Sequence, residues 1–291
     1  MWFDFVGRRQ YLMGNENKFI CFLYKNMAGR FCLKLLTTPW ISRQAGKVLD
    51  SRISRPYISF FVKKHNINLT EVENKEYETF NDFFKRSLLP GSRNIDLTAE
   101  SLISPCDGLL SVYEIDEQNW IPAKYSRYRI EDLLENRELA CKYRGGWCMV
   151  FRLRPSDYHH YCYIDNGNVK SRKKIPGILH CVRPIALEKY PVYVRNTREY
   201  TIIDTENFGQ VIQMEIGALL VGKIQNKRHQ GYVQRGFEKG HFEFGGSTIV
   251  ILIQKEHACP ELAVWMLSKL GQEVDVKMGQ KIGQKIGSKR N

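Results

Sequence analysis

The chain has 291 residues, and its 44 lysines and arginines outnumber its 31 aspartates and glutamates to give a formal charge of +13. This excess favours an acidic partner, either nucleic acid or acidic lipid, without choosing between them. The eight cysteines show no Cys-x-x-Cys pair and none of the spacings of a disulfide framework or zinc site, so we expect reduced thiols in a cytosol and no bound metal. No run approaches the roughly 18 apolar residues of a membrane-spanning helix, and the N-terminus lacks a secretion signal, so we expect a chain that does not cross a bilayer.

The first predicted element is a basic amphipathic segment at residues 19–41, in which aromatic and aliphatic residues are interleaved with lysines and arginines. Such a segment can lie in the membrane interface as a helix, with its aromatic side chains buried and its cations over the lipid headgroups. Packing of the same apolar stripe against the rest of the protein would also explain the pattern. The sequence leaves both interpretations open.

Residues 42–90 predict further helices, because phenylalanines recur there at helical spacings before the break at Pro90. From about residue 103 the chain changes to short β-like runs separated by turn residues. We therefore predict an α+β fold with a helical, packing or membrane-associating part at residues 1–90 and a β-rich domain at residues 91–291. The β-rich domain is expected to be mainly antiparallel and to resemble a sandwich or a barrel.

The most informative motif is Gly-Gly-Ser-Thr at residues 245–248, just ahead of the apolar run 249–253. A glycine pair permits φ angles closed to other residues, so the peptide bond before Ser247 can be held bent and exposed to the serine's own hydroxyl. Attack of Ser247 on the carbonyl of Gly246 would give an ester. Elimination of that ester would split the chain, and hydrolysis of the new end would leave an N-terminal pyruvoyl group. The same residues also suit an ordinary turn that leads into a strand.

Six stretches of the chain, of which the last contains this motif, form an ordered set. They are residues 79–88, 104–108, 152–159, 195–200, 217–222 and 240–248. In this order they resemble the phosphatidylserine decarboxylases of the prokaryotic type, a family of pyruvoyl-dependent enzymes. The resemblance implies cleavage between Gly246 and Ser247 into a β chain of residues 1–246 and an α chain of residues 247–291. The two chains would stay together as a heterodimer, and a homodimer of the whole is left open.

The resemblance also implies the reaction. A pyruvoyl group made from Ser247 would be the covalent cofactor, would bind phosphatidylserine as a Schiff base, and would release CO2 to give phosphatidylethanolamine. The expected partners are therefore phosphatidylserine and an anionic membrane surface, with no nucleic acid. We expect the protein to be peripheral on the cytoplasmic face of the cell membrane.

The residues that would activate Ser247 are also carried over from the resemblance. Asp107, in Ser-x-x-Asp-Gly, matches the family's aspartate, although Asp-Gly is also a common turn. His159 matches the first family histidine and is our candidate for the acid that reprotonates the product. The second family histidine falls on Cys162, which leaves the base for Ser247 in doubt. His180 is the nearest replacement, unless it is a packed strand histidine, and Cys162 could serve only with a lowered thiol pKa.

Two other functions would each explain one feature of the sequence, either Ser247 or the positive charge. A serine hydrolase could use Ser247 without cleaving its own backbone, but Gly-x-Ser-x-Gly is absent and β-like sequence, not a helix, follows the serine. A nucleic-acid-binding protein would explain the charge, but the chain has no RNP-type strand, zinc pattern or basic zipper.

Overall fold

A computed structural model gives the structure of the chain. It describes residues 18–122, 127–182, 184–187, 190–218, 223–227, 229–243 and 247–287. Within these ranges, helices dominate the first part and antiparallel strands dominate the rest, which confirms the predicted α+β class. No helix among the described residues is long and apolar enough to cross a membrane.

The helices of the described chain are mostly short. They are α1 Lys18–Lys25, α2 Met27–Leu36, α3 Pro39–Leu49, α4 Pro56–His65, α5 Phe80–Phe84, α6 Ile130–Leu134, α7 Arg137–Cys141, α8 Pro184–Leu187, α9 Val192–Arg195 and α10 Leu262–Lys269. Single 3-10 turns lie at Arg52–Ser54 and Leu69–Glu71. Proline is the first residue of α3 and of α4, where its missing N–H costs no helical hydrogen bond.

The strands form four antiparallel sheets. They are β1 Ser101–Ile103, β2 Gly108–Glu114, β3 Trp120–Ile121, β4 Tyr128–Arg129, β5 Trp147–Leu153, β6 His160–Cys162, β7 Gly167–Ile175, β8 Arg198–Thr205, β9 Gln210–Ile216, β10 Ile224–Asn226, β11 Gly231–Val233, β12 Glu238–Phe242, β13 Ser247–Ile253, β14 Ala258–Pro260, β15 Val274–Val276 and β16 Lys281–Lys285. The largest sheet has eight strands in the order β11-β7-β8-β9-β13-β5-β2-β15. Smaller sheets have the orders β1-β16-β14, β10-β12-β6 and β3-β4.

The eight-stranded sheet is open and is covered on both faces, so the described chain has a layered arrangement and not a closed barrel. Alternate residues of β5 enter different cores: Val150 packs with the helical side, whereas Met149 and Phe151 pack with the small sheets. Because both faces are buried, β13 is apolar throughout after its first two residues. The predicted division of the chain near residue 90 stays a prediction.

The predicted amphipathic segment differs in detail from the structure, and one β-like run of the sequence lies partly outside the described ranges. The amphipathic segment 19–41 is divided among α1, α2 and the start of α3. The strand expected at residues 219–224 is described only from Lys223 onward, and its earlier residues lie outside the described ranges.

Helix α5 is the helical element that reaches the candidate site. Its N-cap, Thr79, accepts a hydrogen bond from the backbone N–H of Asp82 at 3.1 Å. Phe80, Phe83 and Phe84 of this helix are buried in one aromatic cluster with Phe61 of α4. This packing fixes the direction in which the chain leaves α5.

Candidate active site

Ser247 and Asp107 lie at the same end of the large sheet. Ser247 is the first residue of β13 and pairs with Leu153, the last residue of β5. On the other side of β5, Leu109 of β2 pairs with Arg152, so Asp107 immediately precedes β2 at that end. Neighbouring strands lie about 4.8 Å apart, so the two backbones are on the order of 10 Å apart. A third side chain would have to bridge a serine and an aspartate at this separation.

A tight turn brings His159 back to this end of the sheet. The turn follows β5, and its first residue, Arg154, donates its backbone N–H to the carboxylate of Asp157 at 2.7 Å. The Arg154 guanidinium also pairs with that carboxylate, at 2.8 Å. After the turn, the carbonyl of His159 accepts a hydrogen bond from the N–H of Phe242 at 3.0 Å. His159 is thus attached to the end of β12, whose chain leads to Ser247.

His159 has the form expected of a general base. Its ring is fully buried, with Nδ1 2.8 Å from the carbonyl of Asp157, so Nδ1 carries the proton and donates it. Its Nε2 is buried without a hydrogen-bond partner among the described residues. Burial and the nearby positive charge of Arg86 lower the pKa of His159 to about 3. The imidazole is therefore neutral at physiological pH, and the lone pair on Nε2 is available.

The hydroxyl of Ser247 is equally unusual, because Oγ is buried and has no hydrogen-bond partner among the described residues. Buried polar atoms are nearly always hydrogen-bonded, so an exception needs an explanation, and a catalytic role is one of them. Gly246 lies outside the described residues, so the geometry of the bond between Gly246 and Ser247 is not described.

Asp107 is held by cations and not by a histidine. Arg93 donates to both carboxylate oxygens, from Nε at 2.8 Å and from Nη2 at 2.5 Å. The backbone N–H of Met278 donates to Oδ1 at 2.9 Å, and the Lys277 ammonium lies 3.4 Å from Oδ2. Burial opposes ionisation, but the Arg93 and Met278 hydrogen bonds outweigh it and lower the pKa of Asp107. In the described chain, Asp107 therefore fastens the loop before β2 to Arg93 and to the segment after β15.

Cys162, at the position of the second family histidine, is a buried thiol. Burial raises its pKa to about 12, so it is not a thiolate at neutral pH. Its backbone N–H donates to the carbonyl of Pro105 at 2.9 Å, and its side chain packs in the core between the large and small sheets. The structure gives Cys162 a packing role.

His180 lies against the N-terminal helices. Its Nδ1 is 3.4 Å from the hydroxyl of Tyr24 in α1, and its ring stacks on Tyr190 with centroids 4.5 Å apart. Burial and the charge of Arg195 lower the pKa of His180 to about 4. The contacts described for its side chain do not include Ser247.

Arg86 is a site residue that the sequence analysis missed. It follows α5 and is buried, with Nη2 donating to the carbonyls of Ser156 at 2.9 Å and Asp157 at 3.2 Å. Its Nε and Nη1 are buried without hydrogen-bond partners among the described residues. A buried guanidinium with two unused donors is suited to a carboxylate or phosphate. Its position within the motif 79–88 is the sequence feature that could have identified Arg86. Spacing alone does not distinguish it from the other arginines of the chain.

We expect that Asp107→Ala will lower the free energy of unfolding by on the order of 3 kcal/mol, because it leaves the partly buried Arg93 without its main partner. Urea unfolding should be measured in a Ser247→Ala background, so that only uncleaved chains are compared. The stabilisation from the lowered pKa of Asp107 is complete above the unfolded value near 3.9, and it is lost as pH falls below about 4 through the folded value.

Glu71→Ala is the matched control for Asp107→Ala. Glu71 pairs with the same Arg93 at 2.7 Å, but its side chain is 42% exposed. We expect it to contribute less than about 1 kcal/mol. Equal losses from the two variants would show that Asp107 does not anchor this end of the sheet.

Comparisons with known proteins give matches to one family. Residues 80–284 match a family model described as phosphatidylserine decarboxylase. The chain is 43% identical over 266 residues to phosphatidylserine decarboxylase proenzyme 2 of Clostridium acetobutylicum, with 91% of each chain covered. It is 40% identical over 264 residues to the phosphatidylserine decarboxylase proenzyme of Ruminiclostridium cellulolyticum, with 89% of this chain and 88% of the relative covered.

A third relative extends the match a little further. The phosphatidylserine decarboxylase proenzyme of Clostridium tetani is 38% identical over 277 residues, which cover 94% of this chain and 93% of the relative. Since the family model covers most of the chain and these relatives match nearly all of it, the chain belongs to the phosphatidylserine decarboxylase family and is an enzyme of the decarboxylase class.

Proposed function

We propose that this protein is a self-processing phosphatidylserine decarboxylase, which cleaves its own chain between Gly246 and Ser247. The observation that carries the proposal is a pair of buried atoms, Ser247 Oγ and His159 Nε2, that have no hydrogen-bond partner among the described residues and lie on segments that meet at one end of the large sheet. The names of the relatives, which are proenzymes of phosphatidylserine decarboxylases, support it.

The cleavage uses only groups of the chain and water. His159 Nε2 takes the proton of Ser247, and Oγ attacks the carbonyl carbon of Gly246. The bond from Gly246 to the nitrogen of Ser247 breaks, the nitrogen takes up a proton, and an ester forms. Loss of the Cα proton of Ser247 then expels the Gly246 carboxylate and leaves a dehydroalanine. Water hydrolyses this end to a pyruvoyl group and releases ammonia.

We propose His159 as the base for this step in preference to His180. The imidazole of His159 is neutral and its Nε2 has no hydrogen-bond partner in the described part of the chain, whereas the described side-chain contacts of His180 are with Tyr24 and Tyr190. The thiol pKa of about 12 makes Cys162 unsuitable. Asp107 then acts at a distance, by fastening the loop before β2 at the end of the sheet where Ser247 begins β13.

The same residues suit the decarboxylation. A pyruvoyl carbonyl supplies an electron sink for the electrons released when CO2 leaves. The buried site fits such a group, because Ser247 begins β13 beside the last residue of β5, and Arg86 donates to two carbonyls of the turn that follows β5. Among the described residues, Arg86 Nε and Nη1 and His159 Nε2 have no hydrogen-bond partner. We propose that Arg86 orients the substrate's carboxylate or phosphate and that His159 carries the proton returned to the product.

The first helices support a peripheral place on an anionic membrane. Leu23 and Leu33 are buried in the core, so one face of α1 and α2 packs on the protein. On the outer side, Met27 is 81% exposed, Phe31 68% and Trp40 63%. Exposed apolar side chains among basic ones are the pattern of an interfacial helix. We propose that this surface binds the cytoplasmic face of the cell membrane and brings phosphatidylserine to the site.

We expect vesicle binding to depend on both charge and the exposed aromatic residues. Sedimentation with anionic vesicles should weaken as salt rises, since the screening length is roughly 10 Å at 0.1 M. Phe31→Ser combined with Trp40→Ser should reduce pelleting several-fold, whereas Leu262→Ser, at a residue 66% exposed on α10, should not. Equal pelleting with neutral and anionic vesicles at every salt concentration would rule out the electrostatic part.

The intact mass of the purified protein tests the proposed function. Self-processing leaves two chains, whereas a serine hydrolase or a nucleic-acid-binding protein leaves one. Decarboxylase activity on phosphatidylserine vesicles completes the test.

A further inference from the structure

Three potential metal ligands converge between β6, which begins directly after His159, and β12. His160 pairs directly with His241, and the side chain of Glu238 also contacts His160. In a regular strand, Glu238 and His241 would face opposite sides, because their separation is odd. A register shift between Glu238 and Gly240 changes this alternation, as a β-bulge does, and lets both face His160.

The two polar contacts of the His160 ring require more N–H donors than a neutral imidazole has. Its Nε2 lies 3.1 Å from the carbonyl of Lys85, and its Nδ1 lies 3.0 Å from Oε1 of Glu238. Both neighbours are acceptors, and a neutral imidazole has one N–H. With that proton on Nε2, the Nδ1 lone pair points at a carboxylate oxygen. In that tautomer a second proton or a cation would lie between them, whereas a proton on Nδ1 would donate to Glu238 and leave the Nε2 lone pair facing the Lys85 carbonyl.

His241 supplies the observation that favours a metal. Its Nδ1 is buried without a hydrogen-bond partner among the described residues, and its ring lies 5.0 Å from that of His160. One ligand atom each from His160, Glu238 and His241 can be chosen so that all lie within 4.8 Å of one another. Two ligands about 2.0 Å from a tetrahedral Zn2+ are separated by about 3.3 Å. Ligand atoms that lie up to 4.8 Å apart would therefore have to move closer by up to about 1.5 Å for one ion to contact all three residues.

We propose that His160, Glu238 and His241 form a binding site for one zinc-like divalent cation. Two imidazoles and one carboxylate suit Zn2+, with a fourth position open to water, and are unsuited to Mg2+ or Ca2+, which prefer oxygen ligands. The surroundings supply an outer layer of contacts: the Lys85 carbonyl orients His160, and the Lys227 ammonium holds the other oxygen of Glu238 at 2.7 Å.

The ammonium groups of Lys85 and Lys227 carry the opposing charges near this cluster. They reduce the attraction for any cation, so binding depends on the nitrogen ligands. An ion here would fasten β12 to β6 beside His159. Metal binding at this site does not require the chemistry of Ser247. The proposal can therefore be tested independently of the proposed function.

The test uses the full-length protein after treatment with a chelator and buffer exchange. Addition of Zn2+ should give about one tightly held ion per chain by elemental analysis and should raise the melting temperature, whereas Mg2+ should not. Co2+ should give the visible spectrum of a tetrahedral nitrogen and oxygen site. Glu238→Gln and His241→Ala should each weaken binding by at least tenfold. His257→Ala, at a half-buried histidine elsewhere, should bind like the wild type.

Two results would overturn the proposal. If neither Zn2+ nor Co2+ binds or raises the melting temperature of the wild type, His160 and Glu238 form only a protonated ion pair. Binding that persists in Glu238→Gln and His241→Ala would assign the metal to another group, such as the exposed Cys32. His241→Gln provides a second, less disruptive variant, and its circular dichroism spectrum shows whether it is folded.

Discussion

Ser247→Ala is expected to leave a single uncleaved chain without decarboxylase activity. Serine supplies both the attacking oxygen and the carbon skeleton of the pyruvoyl group, and alanine supplies neither. The variant should be as stable as the uncleaved wild-type chain to within about 1 kcal/mol, because Oγ makes no described hydrogen bond that could be lost. If the variant is folded but inactive, its loss of activity therefore results from the missing hydroxyl and not from unfolding.

The wild type should separate by mass into residues 1–246 and 247–291. The smaller chain should lack a free N-terminal amine, resist Edman degradation and lose activity with borohydride or hydroxylamine, which attack the keto group. Without denaturant the chains should stay together, because β13 pairs along its length with β5 and also with β9.

Thr201→Val is the matched control for Ser247→Ala. Thr201 is also buried, and its hydroxyl has no hydrogen-bond partner within the described ranges, but it lies within β8 and away from the sheet end. We expect this variant to be cleaved as fully as the wild type. An active wild-type enzyme that proved to be one intact chain with an ordinary serine at 247 would show that the pyruvoyl mechanism is wrong.

The sequence predicted those parts of the fold that depend on local pattern. The apolar run 249–253 predicted a buried strand preceded by Ser247, and β13 starts at that residue. The α+β class followed from the change of periodicity near residue 103. The bounds of the first helices were less predictable, because turns divide one continuous amphipathic pattern.

The contacts of the site were less predictable, because they join segments that are distant in sequence. Asp107 was expected among the residues that would activate Ser247, but its described partners include Arg93, which lies before β1, and Lys277, which follows β15. No local spacing distinguishes Arg86, whose burial depends on how α5 packs. The cluster of His160, Glu238 and His241 depends on a shift in strand register. The expectation of no bound metal was based on cysteine spacing, which carries no information about this cluster.

His159→Gln is expected to slow self-cleavage by about 10²- to 10⁴-fold, the usual contribution of a general base. Glutamine can fill much of the space and donate to the Asp157 carbonyl, but its amide cannot accept the proton of Ser247. The measurement is the half-life of the uncleaved chain after pulse labelling, followed by gel electrophoresis. Ser247→Ala is the reference for stability, because both variants stay uncleaved while their melting temperatures are compared.

The pH dependence of self-cleavage and the His180→Ala variant provide two further tests of His159 as the base. A base must be neutral to act, and the pKa of His159 is about 3 because the ring is buried beside Arg86. Cleavage of the wild type should therefore show no histidine-like fall between pH 8 and 5, and should fall only as pH approaches about 3. His180→Ala should be cleaved nearly normally, since its described side-chain contacts are with Tyr24 and Tyr190. If instead His180→Ala stays uncleaved while His159→Gln matures, His180 is the base and the unpartnered Nε2 of His159 has another purpose.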